Sequence, residues 1–512
     1  LTYRLYNREL ADKGYDFNLG ETATGLFTVK SSGVTGSNRA TIDAMQHSLF
    51  KLLNAGTTLY LENIYLTNVV NSDGAAFSVA NGNEVELYNA RIGQLTLDTD
   101  ETTYSAGIMN SGVITVITGA NSLIETSVKE YLGNTGKIVV QEGAGLIIKN
   151  NNTVSQNIID VSGNFEMNTG TISLTDKFNI SSTGIVNVGA AIISAVNSIV
   201  NAGNLYLSDG ALASEITSTG ITTIVGAVTS NKKITQNSLI INNGASLSIS
   251  AGNINAPVTD DSVLEIIDGT DNTLSSTVAG EGEFVINASN VTNKSGNLIT
   301  VKNTTINEEK TFTLNASDIV SNIVNKGIIE FVGGTNVNAI AGTGKTLING
   351  DVTSSGLISQ NIEILASKSL TIDANLVGGS VLNKGSIYLT GENNILSNEI
   401  DGTGMTYING SITTNADIKQ NIEVLVDKSL TSDASHLLGS VLRNSGDVFL
   451  TAGDLTQQIQ GTGKTTINGT VVSKTSIAQD KGVTIIDNAK LTINAKNLLS
   501  NADNSGTLIL TG

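Results

Sequence analysis

The chain of 512 residues has no cysteine, no tryptophan, one proline (Pro257) and two histidines (His47 and His436). Without cysteine there can be no disulfide, no thiolate metal site and no cysteine nucleophile. Proline is excluded where backbone N–H groups must pair in a continuous ladder, so its near absence points to strands almost everywhere. The two histidines lie far apart in sequence, and neither a Ser-His-Asp order nor a His-rich metal spacing is present. Aromatic residues make up only 4% of the chain, so the stacking rings on which sugar subsites depend are scarce. Charged residues are 14%, against about 25% in an average soluble domain. The 28 basic and 46 acidic residues give a net charge of −18 with no basic cluster, which argues against a nucleic-acid partner. No apolar run is long enough to cross a bilayer as a helix. With 39% hydrophobic residues, the chain is too apolar and too weakly charged for disorder.

What is present is a repeat. The motif Asn-x-Gly-x-φ-x-φ, with φ apolar, occurs at Asn110, Asn134, Asn168, Asn201, Asn325, Asn383, Asn444 and Asn504. Its apolar pairs, such as Ile387/Leu389 and Val448/Leu450, alternate with period two, as in a strand with one buried face. Asn-x-Gly just before the strand reads as a turn, since both residues tolerate positive φ. A longer period lies above it. STGITTIVG, GEGEFVINA, GTGKTLING, GTGMTYING and GTGKTTING are copies of one unit, with glycines at Gly220, Gly282, Gly344, Gly404 and Gly463. By subtraction the steps are 62, 62, 60 and 59 residues. QNIEILASKSLTIDA from Gln360 likewise matches QNIEVLVDKSLTSDA from Gln420.

Strand starts near Thr346, Ser369, Ser386 and Thr406 give about twenty residues per turn, the size of one coil of a β-solenoid, and so three coils per sixty-residue unit. Each coil must stack on its neighbours to bury its apolar face. The expected fold is all-β, a right-handed parallel β-helix of about 20–26 residues per coil. Three regions are expected: a cap or lead-in over 1–35, longer and irregular coils over 36–215, and sixty-residue repeats over 216–512. A helix near Met45–Leu53 is a possible misreading that the flanking alternation disfavours. The chain starts at Leu1 and reads as a piece of something longer.

ATIDAMQHSLFKLLNAGTTLYLENIYLTN, residues 40–68, resembles the coils of pectin-lyase-like parallel β-helices. The Asn-x-Gly-x-φ-x-φ series resembles the passenger domains of bacterial autotransporter adhesins. The resemblance covers about residues 36–512 and is one of coil pattern. It implies an exported, acidic, cysteine-poor surface protein, held at the outer membrane through a β-barrel anchor that this segment lacks.

Several motifs bear on chemistry. Gly342-Thr-Gly344-Lys345-Thr346 and Gly461-Thr-Gly463-Lys464-Thr465 evoke a phosphate loop, but the required upstream glycine is Ala339 or Gln458 and the middle copy has Met405 for lysine. They read as repeat corners that bind no nucleotide. Asp98, Asp100 and Glu101, and the pair Asp260-Asp261, are the groups most like calcium ligands. Thr-x-Thr, which ice binding would need on successive coils, does not hold its register. A polysaccharide-cleaving groove would need converging carboxylates, and arginine is rare. The outward position between the two apolar residues holds Tyr206, Tyr388 and Phe449, a candidate interaction face. The reading is therefore a non-catalytic surface stalk or adhesin with no cofactor and no metal. Its partners would be host or matrix molecules or copies of itself. A carbohydrate-active β-helix enzyme and a structural subunit of a filament, sheath or phage spike are the alternatives.

Overall fold

The fold was read in a computed structural model that describes residues 2–3, 17–19, 24–31, 40–43, 49–67, 70–71, 74–75, 77–93, 107–149 and 151–512. His47 and the calcium candidates Asp98, Asp100 and Glu101 lie outside the described residues, as does most of the expected cap. The chain forms two compact units, Leu1–Glu265 and Ile266–Gly512. Each is an all-β parallel solenoid with coils of about 19 residues, consistent with the right-handed β-helix. Among the described residues the helical elements are three-residue 3-10 corners such as Ala374–Leu376, and one antiparallel pairing, Val70–Asn71 with Gly74–Ala75, interrupts the parallel ladders. Pro257 lies just before the strand Val258–Asp260, where its missing N–H removes no bond from within the strand.

In the first unit three strands per coil build three walls. One wall runs from Gly25–Lys30 through Thr57–Glu62, Glu84–Tyr88 and Val113–Val116 up to Ile254–Asn255. Its inward column is Leu59, Val85, Ile114, Ile138, Ile159, Phe178, Ile199, Ile216, Ile234 and Ile254, each paired with the next. All ten are buried. Each such side chain contributes about 1.5–3 kcal/mol by burial, so the column supplies much of the wall's cohesion. Coil lengths by subtraction of these positions are 26, 29 and 24 residues at first and 17 to 21 afterwards, so the early coils are the longer ones. Gly25–Lys30, which the sequence reading placed in a cap, is a complete strand paired over its whole length with Thr57–Glu62. Phe50–Leu52, inside the ambiguous helical stretch, is a strand as well.

The second unit corrects the assumed repeat geometry. Leu370, Ile372, Ile387, Leu389, Val448 and Leu450 are buried as expected, and Leu370 and Ile372 stack directly beneath Ile387 and Leu389. The sixty-residue unit, however, is not three coils. From Lys345 to Met405 the chain passes ten wall segments, beginning at 345, 351, 358, 361, 369, 377, 381, 386, 392 and 400. With three segments per turn, ten segments are three turns plus one wall. Each copy therefore starts one wall further round than the last. Lys345–Ile348 lies between Ile328–Phe331 and Asn361–Ile364. Met405–Ile408 lies on the next wall between Ser386–Thr390 and Asn421–Val424. The start of Lys464–Ser473 lies on the third wall, against Asp447–Leu455. Sequence spacing reports residues per repeat and is blind to which wall a segment occupies, so a coil length of twenty rather than eighteen was enough to hide the offset.

The structure also reassigns the role of Asn-x-Gly. Asn110, Asn201, Asn325, Asn383 and Asn444 have no positive φ and are fully buried. Each stitches three coils together. Asn383 Oδ1 accepts from Gly385 N at 3.0 Å, while its Nδ2 donates to Met405 O at 3.0 Å one coil on and to Gln420 Oε1 at 2.7 Å two coils on. Asn325 makes the same set with Gly327, Lys345 and Gln360, and Asn444 with Gly446, Lys464 and Gln479. The glycine is needed for close approach: a Cβ on Gly385 would lie 2.2 Å from Lys368 O, and one on Gly446 2.1 Å from Lys428 O. The motifs at Asn134, Asn168 and Asn504 carry exposed asparagines, and of these three only Asn134 has a positive φ.

Two outcomes follow. Asn383→Ala empties a fully buried site and removes the bonds to Gly385 N, Met405 O and Gln420 Oε1, so it should lower unfolding stability by about 2–4 kcal/mol. Exposed Asn168→Ala should change stability by no more than about 0.5 kcal/mol, and denaturant melts compare the two. Deleting residues 345–404 should leave a cooperatively folding chain in which Tyr407 stacks over Glu330, where Leu347 stacks now. A cysteine pair, Glu330→Cys with Tyr407→Cys, should then oxidise to a disulfide in the deleted chain and not in the undeleted one, because coil neighbours at about 4.8 Å meet disulfide geometry.

Candidate functional site

Because each wall keeps side chains alternately in and out, function must be sought in the outward rows. The three aromatic candidates point outward and are half-buried, but they share no stripe. Tyr206 belongs to the first unit, in the row Glu166, Asn187, Tyr206 and Thr223. Tyr388 and Phe449 occupy equivalent repeat positions in the second unit but face different walls, separated by the one-wall advance of the repeat. Phe449 interrupts a threonine row, Thr413, Thr431, Phe449, Thr466 and Thr484. Tyr388 belongs to a row of changing chemistry: Thr335, Thr353, Thr371, Tyr388, Tyr407, Glu423 and Arg443. Within it the Tyr388 and Tyr407 rings stack with centroids 4.5 Å apart and planes 10° apart. Burial pushes the Tyr407 phenol up, with the neighbouring Tyr388 and the Glu423 carboxylate adding to the shift.

Tyr407 was missed in sequence because GTGMTYING was read as a corner. The signal was there: it stands one coil after Tyr388 between inward Thr406 and Ile408.

A second group, in the first unit, likewise belongs to no motif of the sequence. Tyr60 and Glu62 on one strand lie beside Glu84, Glu86 and Tyr88 on the next, with Tyr60 paired to Glu86 and Glu62 to Tyr88. Thr115 Oγ1 donates to Glu84 Oε1 at 2.5 Å. Burial, and then the Glu84 charge, holds the Glu86 carboxyl above the usual range. Burial, followed by the Glu62 carboxylate, likewise raises the Tyr60 phenol. Three carboxyl groups and two phenols thus share one wall over two coils. TLYLE and EVELY, one coil apart in sequence, carried the signal.

Other charges tie coils together. Glu363 receives Lys345 at 2.7 Å and Lys384 at 2.8 Å, bridging three coils. The Lys345 ammonium that evoked a phosphate loop is thereby engaged, and the Gly342–Thr346 corner runs into the strand Lys345–Ile348 rather than a helix. Arg91 holds Glu125 through two bonds of 2.6 and 2.9 Å and lies 4.4 Å over the Tyr65 ring. His436 Nδ1 lies 2.7 Å from Asp417. Asp260 and Asp261 do not converge, since Asp260 is buried in the lumen and Asp261 faces solvent. No group of three or more His, Asp or Glu side chains with metal-holding geometry occurs among the described residues. An open groove of about 590 Å³ follows a bent corner of the second unit, lined by Glu281, Lys302, Val320 and Val337 among others.

Compared with known proteins, the chain matches no family model, no curated protein and no solved structure. The class that the fold itself defines is the parallel β-solenoid.

The Glu363 bridge gives a pH test. Hydrogen bonds from Lys345 and Lys384 hold its carboxyl below the usual range, against the opposing effect of burial. Its stabilisation is present above the unfolded carboxylate value of about 4.3 and is lost as pH falls through the depressed folded value. Glu363→Gln should therefore cost a few tenths to about 1 kcal/mol at neutral pH. Thermal melts should show that difference shrinking to nothing in strong acid; a constant gap would place the effect in packing.

Proposed function

We propose that the protein is a non-catalytic bacterial surface stalk or adhesin that works by many shallow contacts along its walls. The observation that carries this reading is the outward row running from Thr335 to Arg443, where hydroxyl, phenol, carboxylate and guanidinium groups follow one another coil by coil. Such a surface offers weak contacts in series, and contacts in series gain affinity by avidity. The one-wall advance of the repeat supports a refinement: equivalent contacts appear on successive walls, so the second unit engages neighbours from several directions. Export to the cell surface, with host molecules, matrix or identical copies as partners, belongs to the same proposal.

Carboxylates on one wall of the first unit favour a second reading, a carbohydrate-active enzyme. Glu86, with its raised carboxyl, would donate a proton, beside Glu84, which accepts a hydrogen bond from Thr115.

One experiment separates the two. Cells displaying the chain should adhere or aggregate more at about 0.15 M salt than at about 0.01 M, because screening weakens the repulsion of a net charge of −18. Tyr388→Ser and Phe449→Ser should each reduce adhesion partially and together reduce it further, since they act on separate walls. Neither should lower stability by more than about 1 kcal/mol. Purified chain that fails to adhere but releases reducing ends from a polysaccharide, with loss of that release in Glu86→Gln, would replace the adhesin by the enzyme.

A further inference from the structure

We propose that Tyr388 and Tyr407 form an oxidative coupling site, at which a one-electron oxidant joins the two phenols into an intrachain dityrosine that clamps one coil to the next. The two residues are direct register partners on adjacent parallel strands, Ser386–Thr390 and Met405–Ile408. Their rings lie nearly parallel with centroids 4.5 Å apart, in van der Waals contact. Both are on the outward side and partly exposed, so a small oxidant or the edge of a peroxidase can reach them. Two further ring pairs, Phe165 with Phe178 and Phe284 with Phe312, are buried, edge-on and without a phenol. Tyr206 stands between Asn187 and Thr223 and has no such partner in its row.

The chemistry balances with hydrogen peroxide as oxidant and a haem peroxidase as catalyst. Each phenol gives up one electron and its hydroxyl proton, leaving two phenoxyl radicals in contact. One carbon–carbon bond forms between ring positions ortho to the oxygens. The hydrogens displaced from those carbons return to the two oxygens as the rings regain aromaticity. The chain loses two hydrogens overall, and the two electrons and two protons reduce one peroxide to two waters. Coupling within the chain outruns coupling between chains because the partner radical is already in place, while the net charge of −18 keeps separate chains apart. The product is the covalent tie between coils that a sequence without cysteine cannot make as a disulfide.

The test treats dilute purified protein with peroxidase and hydrogen peroxide. The expected result is a monomeric product lighter by two hydrogens, with blue dityrosine fluorescence and a digest in which the Tyr388 and Tyr407 peptides are joined. Its melting temperature should rise. Tyr388→Phe and Tyr407→Phe should each abolish the joined peptide and the rise in melting temperature, while Tyr206→Phe leaves both unchanged. Circular dichroism checks that the variants are folded, and the peptide map of the unmutated chain decides the matter if they are not. Absence of the joined peptide under conditions that couple free tyrosine, or fluorescence that survives both Phe variants, overturns the proposal. So does a product linked between chains.

Discussion

In a parallel solenoid the backbone N–H and C=O groups of one coil find their partners in the coils before and after it. Each coil must therefore return to the same register or leave a whole row of polar groups unpaired. The walls can manage this with alternating apolar residues, because ten stacked side chains from Leu59 to Ile254 hold one another by area alone. Corners cannot, because there the chain turns out of the regular ladder and its backbone groups need other partners. The Asn-x-Gly corner solves both parts of that problem. The glycine lets the backbone pass where a Cβ on Gly327 would come 2.2 Å from Lys310 O, and the asparagine amide collects groups from three coils at once. Buried amides are costly when left unpaired and specific when paired. A slip of one coil would break every such bond, so these corners set register where apolar packing alone would tolerate error.

The sequence carried the walls well and the corners poorly. Alternation at Leu370/Ile372 and Ile387/Leu389 was enough to place inward columns, since period two has one structural meaning when the strand is half-buried. The same motif gave the right location and the wrong reason for asparagine. Turn chemistry and burial both favour Asn-x-Gly, and only long-range pairing distinguishes them. That pairing does leave a trace: a glutamine stands 35 residues after Asn201, Asn325 and Asn444 and 37 after Asn383. Asn110 finds its glutamine, Gln156, 46 residues on, across the longer early coils, whereas the solvent-facing Asn134 and Asn168 have no glutamine at any of these distances.

The outward surface was harder to read because its logic depends on walls. Tyr388 and Phe449 are equivalent in sequence and divergent in space, whereas Tyr388 and Tyr407 are unrelated by the repeat and stacked in space. A repeat of ten segments on a three-walled coil guarantees this separation of sequence equivalence from spatial neighbourhood. Neighbours on a row are drawn from different places in the repeat, so a row can mix threonine, tyrosine, glutamate and arginine although each repeat is nearly constant. The arrangement also spreads any one exposed chemistry around the second unit and keeps it from collecting on a single wall, which limits flat apolar faces of the kind that drive uncontrolled association.

The absence of cysteine and the abundance of buried amides belong to the same balance. Stacked coils give each segment only near neighbours, so stability grows roughly with the number of coils and a weak coil is a place where the stack can open. A disulfide would strengthen such a place by a covalent tie. Here the ties are noncovalent and distributed: the amide stitches inside, and outside the charged bridge that joins Lys345, Glu363 and Lys384 across three coils. The inner ties are shielded from salt, while the outer ones are screened by it. Register therefore rests on the inner set, and the outer set is free to vary with the chemistry that each wall presents.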